Sequence, residues 1–133
     1  MRILTVSFLL IVVMIVGCGK SDVLHNIDFE KTMYSIVKDQ HTKEINIKPL
    51  TDFKWDKAYL FEPYTPQEHI EKRMGAEFED PSNIRSRDDI YLIVFLNDGN
   101  VVQYAEISRQ KTDFSIGEKE HLSPSEDVLK IER

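Results

Sequence analysis

Ile90-Tyr91-Leu92-Ile93-Val94-Phe95-Leu96-Asn97-Asp98-Gly99-Asn100-Val101-Val102-Gln103-Tyr104-Ala105-Glu106-Ile107-Ser108 decides the fold class of this chain. Ile90 to Leu96 is apolar without interruption, the mark of a strand covered on both faces. Asn97-Asp98-Gly99-Asn100 is a tight-turn signal, because Asp and Gly accept the positive φ of a two-residue hairpin turn. Val101, Val102, Tyr104, Ala105 and Ile107 supply the return strand. A β-hairpin therefore sits at the centre of the core.

Two further short strands are expected downstream, at Thr112 to Ile116 and Val128 to Ile131. Ser123-Pro124-Ser125-Glu126-Asp127 between them reads as a turn, or as the start of one helical turn. Upstream, Ala76 to Asp89 is polar, contains Pro81-Ser82-Asn83 and has no clean period, so it reads as a long loop. Before it, Pro66 to Met74 is expected to be a short helix. Thr65 is the candidate cap, Pro66 suits the first helical position, Glu68 completes a capping box and Gly75 is the stop. Ile70 and Met74 share one face.

Tyr59, Leu60 and Phe61 have strand propensity, and Pro63 stops that strand. Ile45 and Ile47 alternate with Asn46 and Lys48 as a short strand that Pro49 ends or places at an edge. Ile27 to Gln40 reads as a helix with Phe29, Met33, Ile36 and Val37 on one stripe; Asp28 and Glu30 favour its positive N-terminus. The order predicts an α+β fold: a mainly antiparallel sheet of about five or six strands with two helices on one face.

The chain opens differently. Met1-Arg2 is a minimal positive start, and the 14 residues from Ile3 to Val16 are almost wholly aliphatic. That is the layout of a secretory signal, and it falls short of the about 20 residues a bilayer span needs. Ile15-Val16-Gly17-Cys18 resembles the lipobox of bacterial lipoproteins. The resemblance implies that Cys18 is diacylated and becomes the first residue of the mature chain. Two or three acyl chains anchor stably where one does not. With Cys18 so used, the only Cys of the chain is free for neither a disulfide nor a metal site. The organisation expected is a signal peptide over 1–17, a lipidated tether over 18–24 and one α+β domain over 25–133. The location implied is the outer leaflet of a bacterial plasma membrane, or the outer membrane where the cell has two; Gly19 after Cys18 resembles the pattern that permits the second.

Of the 17 Lys and Arg only Arg2 precedes Cys18, so the chain from Cys18 onward carries 16 basic residues against 23 acidic ones. Such an acidic surface is repelled by nucleic acid and by anionic headgroups.

Motifs for chemistry are few. His25, His41, His69 and His121 share no metal-binding spacing and read as surface histidines, with no metal and no cofactor expected. There is no GxSxG and no phosphate-binding glycine cluster. Glu77, Glu79 and Asp80 cluster in the long loop and Asp88-Asp89 close it. They fit no EF-hand, and a solvated acidic loop accounts for them. Phe53-Lys54-Trp55-Asp56-Lys57 through Pro63-Tyr64-Thr65 resembles a segment of small bacterial lipoproteins with a Trp-Asp pair and a Pro-Tyr-Thr corner. That resemblance carries no activity with it. Asp56 is placed to bond backbone donors before the strand, and Trp55 and Tyr64 bracket the strand.

The expected function is a non-catalytic, membrane-anchored envelope lipoprotein acting as a binding or accessory module. The alternative is an inhibitor or immunity lipoprotein against an exported toxin or enzyme; a hydrolase using Glu77 or Asp80 is the third class. Candidate partner-binding residues are Trp55, Tyr64, Glu77, Glu79 and Asp80, facing a basic exported protein.

Overall fold

The structure, a computed structural model, describes residues 23–133. The signal run, Cys18 and all but the end of the tether lie outside the described residues.

Among the described residues seven strands and two α-helices follow one another: β1 (Leu24–His25), α1 (Ile27–Val37), β2 (Glu44–Asn46), β3 (Lys57–Phe61), α2 (Gln67–Met74), β4 (Ile90–Asn97), β5 (Asn100–Ser108), β6 (Asp113–Ser115) and β7 (Val128–Glu132). The hairpin is present as read. Asn97 pairs with Asn100 around Asp98 and Gly99, whose φ values of 52° and 77° are those of a type I′ turn. Leu96 pairs with Val101 and Phe95 with Gln103, leaving Val102 as the extra residue of a bulge. The bulge lets Val101 stay on the face of Leu96 while Val102 joins the opposite layer. Asp56 receives the Asp98 N–H at 3.0 Å, so the carboxylate before β3 ties down the hairpin turn.

The fold is α+β and antiparallel-rich, with two sheets in place of one. The larger runs β1-β5-β4-β3, with β1 parallel to β5, and the smaller runs β2-β7-β6. A bridge from Ala58 to Leu122 links the edge of β3 to the chain leading into β7. The two helices lie on opposite faces of the larger sheet, not on one. Tyr91, Ile93 and Phe95 look toward Phe29, Met33 and Val37 of α1 and toward the smaller sheet. Leu92, Val94 and Leu96 look toward Ile70 and Met74 of α2 and toward Phe78 and Ile84. The unbroken apolar run of β4 has this cause: alternate residues enter two separate cores.

Helix ends differ from the sequence reading in instructive ways. Asn26 caps α1 by accepting the Phe29 N–H at 2.9 Å. The helix stops at Val37 rather than Gln40, where Arg133 donates to the carbonyls of Val37 (3.2 Å), Asp39 (2.8 Å) and Thr42 (2.6 Å). The C-terminal guanidinium thus satisfies carbonyls that a helix end leaves open. At α2 the capping box does not form. The residue at the cap is Pro66, with no side-chain bond to the helix, and Thr65 Oγ1 donates instead to Glu62 O at 2.6 Å. Gly75, at φ 64°, closes the helix as expected.

The 76–89 stretch is pinned. Phe78, Ser82 and Ile84 are buried, and Ile84–Ser86 form a 3-10 turn. Asp80 organises it by accepting from Ser82 N (2.8 Å), Ser82 Oγ (2.5 Å) and Ile84 N (2.9 Å).

Candidate functional site

The chain leaves β3 through Glu62-Pro63-Tyr64. Tyr64 has φ 66°, in the left-handed region that a non-glycine residue enters at a cost. Its N–H donates to Ile84 O at 2.9 Å, which holds that backbone against the 3-10 turn. The residue is 60% exposed. Beside it opens a cleft of about 450 Å³ between α2 and the pinned loop, lined by Thr65, Gln67, Glu71, Glu79, Asp80, Asn83 and Arg85.

Gln67 sets the shape of this cleft. Its side-chain amide donates to Glu71 Oε1 (2.8 Å) and to Phe78 O, and its oxygen accepts the Asp80 N–H at 3.1 Å. Glu79 is exposed at the rim, while both oxygens of Asp80 are committed to the loop. Three carboxylates against the single Arg85 make the lining net acidic.

Of the five candidate residues, Glu79 and Asp80 line this cleft, and Tyr64 precedes its lining residue Thr65 in the chain. Glu77 is exposed but does not line the cleft. Trp55 does not belong to any exposed surface: it is 3% exposed, packs edge-on against Phe95 at 5.4 Å and donates its indole N–H to Thr51 Oγ1 at 2.9 Å. Trp55 and Tyr64 flank the same strand, but Trp55 enters the core shared with α1. The commitment of Asp80 to three loop donors is a structural role and adds nothing to the hydrolase reading.

A second polar cluster surrounds Arg87. The guanidinium spans both oxygens of Asp89 (2.8 Å each) and reaches Ser82 O (3.2 Å) and Glu106 (3.0 Å). The Arg87 hydrogen bonds hold the Asp89 carboxyl below the usual carboxylate range, and the two carboxylates hold the Arg87 proton more firmly still. Glu30 accepts the Glu106 N–H at 2.8 Å and meets His25 side chain to side chain. The His25 ring stacks on Tyr104 at 4.6 Å. Burial, then the charges of Glu106, Glu30 and Asp80, push the Tyr104 phenol up. Spacing along the chain could not reveal this cluster, since its members come from β1, α1, the 76–89 loop and β5. His41 and His69 are exposed as expected, whereas His121 is half-buried against Tyr59 at 5.5 Å.

No helix among the described residues is long and apolar enough to cross a membrane. The α+β fold and the acidic cleft are what the molecule offers for classification: no family model, no curated protein and no solved structure matches the chain.

Proposed function

We propose that this protein is a non-catalytic, lipid-anchored envelope protein that binds a basic exported protein at the cleft beside Tyr64. The observation that carries the binding reading is Tyr64 itself: a large aromatic, in a left-handed conformation, 60% exposed, next in the chain to Thr65 of an acidic cleft. Backbone strain of this kind clusters at ligand and contact sites. Tyrosine is a favoured interface anchor, and Glu71 and Glu79 of the cleft suit a Lys or Arg of the partner. The excess of 23 acidic over 16 basic residues from Cys18 onward raises the encounter rate with a basic protein.

The anchor in this proposal is a diacylated Cys18, in the outer leaflet of a bacterial plasma membrane or in an outer membrane. An immunity role is the same binding with an exported toxin or enzyme as partner, distinguished by stoichiometric inhibition of that partner.

The test uses the full chain in detergent micelles, measured against basic exported proteins of the source cell by surface plasmon resonance. Tyr64→Ala is expected to weaken binding by about tenfold or more, the loss typical of an interface anchor. Glu79→Lys is expected to slow association, and salt to slow it further. A partner bound equally well by both variants, at a rate indifferent to salt, would falsify the assignment of this cleft.

A further inference from the structure

Three metal-ligating groups from three elements converge where the described chain begins. His25 ends β1, Glu30 lies in the first turns of α1 and Glu106 lies on β5. A ring nitrogen of His25 and one carboxylate oxygen of each glutamate all lie within 4.8 Å of one another. Donors held about 2.1 Å from one tetrahedral zinc ion are about 3.4 Å apart. Side-chain adjustments of about 1–1.5 Å, which part the hydrogen-bonded His25–Glu30 pair and draw Glu106 in, gather all three around an ion.

Each group is held by a neighbour, as metal ligands commonly are. Tyr104 stacks on the His25 ring at 4.6 Å with the planes 10° apart. The Glu106 backbone N–H fixes one oxygen of Glu30 at 2.8 Å. Arg87 fixes one oxygen of Glu106 at 3.0 Å and leaves the other free. A His–carboxylate hydrogen bond is a sufficient account of His25 and Glu30 alone. Glu106 shares the one Arg87 guanidinium with Asp89, so together with Glu30 three carboxylates meet a single arginine there. An open cleft of about 550 Å³, lined by Glu30, Arg87 and Glu106 among others, gives an ion and its water access.

We propose that His25, Glu30 and Glu106 bind a divalent transition-metal ion of the zinc type, with water from the cleft completing the coordination. One nitrogen and two carboxylate oxygens suit such an ion, and its two charges neutralise the two glutamates. The ion takes the place of the hydrogen on His25 Nε2, and the neutral imidazole keeps its proton on Nδ1. Bound there, it staples β1, a parallel strand of two residues, to α1 and β5. The proposal is independent of the partner cleft at Tyr64.

The test is calorimetry of Zn²⁺ binding to the full chain in detergent micelles, with Co²⁺ as a spectroscopic probe. The expected result is one ion per chain, visible Co²⁺ bands of four- or five-coordinate intensity, and binding weakened at least about tenfold by His25→Asn and by Glu106→Gln. Glu106→Gln keeps an acceptor for Arg87, so it remains informative if the His25 variant folds poorly; circular dichroism checks both. His69→Asn, on the exposed flank of α2, is expected to bind as the wild type does. Absence of Zn²⁺ heat and Co²⁺ bands under a large excess of ion overturns the proposal. So does binding that both site variants retain, or that His69→Asn loses equally.

Discussion

Phe95 meets three rings from two segments: Phe53 at 5.0 Å and Trp55 at 5.4 Å from the stretch before β3, and Phe29 at 5.6 Å from α1, all edge-on. It has no exposed surface. Phe95→Ala removes the ring and leaves a cavity that this crowded surrounding cannot collapse into, so a loss of roughly 3–5 kcal/mol is expected in denaturant unfolding; a loss below about 1 kcal/mol is incompatible with the packing described. Tyr91, on the same face, is a different kind of core residue. Its hydroxyl donates to Asp113 at 2.9 Å, and burial followed by that carboxylate pushes its phenol up to about 12. The fold therefore keeps a proton that the unfolded chain, at an ordinary value of about 10, has already released. The contribution of Tyr91 is whole below about pH 10 and is lost as pH rises to about 12. Ultraviolet titration is expected to show a late phenolate step that Tyr91→Phe deletes; an unchanged late step would exclude Tyr91 as its source. The sequence marks both residues as core but is silent on this division of labour, because Asp113 reaches Tyr91 through strand placement and not through spacing.

At the scale of elements, α2 shows where local signals hold and where they give way. Gly75 and the Ile70–Met74 stripe act as their spacing predicts. Thr65 does not, because its hydroxyl is already bonded to Glu62 O, within the corner that leaves β3. Gln67 takes over by joining the start of the helix to Phe78 and Asp80 in the following loop. Thr65→Ala is thus expected to cost less than the about 1 kcal/mol of a true cap. Gln67→Ala leaves buried loop partners unpaired and is expected to cost about 1–3 kcal/mol, with faster amide exchange at Asp80. The reverse order of the two losses would restore Thr65 as the cap. The 76–89 loop carries the same lesson. Phe78 and Ile84 are too few to form a period, so its anchoring to the α2 face is not readable in advance.

At the scale of the molecule, the first question is the anchor. The Ile15-Val16-Gly17-Cys18 box concerns residues outside the described structure, and its proposed consequence is membrane retention. Cys18→Ser is expected to abolish the lipid-dependent mass of the membrane-extracted protein and to block cleavage before residue 18. An unmodified Cys18 in the wild-type protein would refute the anchor. The rest of the molecule is two cores separated by one sheet, with α1 and the smaller sheet on one side and α2 with its loop on the other. What the sequence determined by itself is whatever acts over a few residues: the β4–β5 hairpin, the type of each helix, the glycine stop of α2 and the acidic balance. Tertiary structure alone decided which face each helix covers, that Asp127 would join Asn46 and Lys48, and that Trp55 would be buried while Tyr64 stands free. It alone brought His25, Glu30 and Glu106 to one point. The physical reason is that alternation along β4 makes both of its faces equally apolar. Nothing local then says which covering layer takes which side, and that choice rests on the packing of segments far apart in the chain.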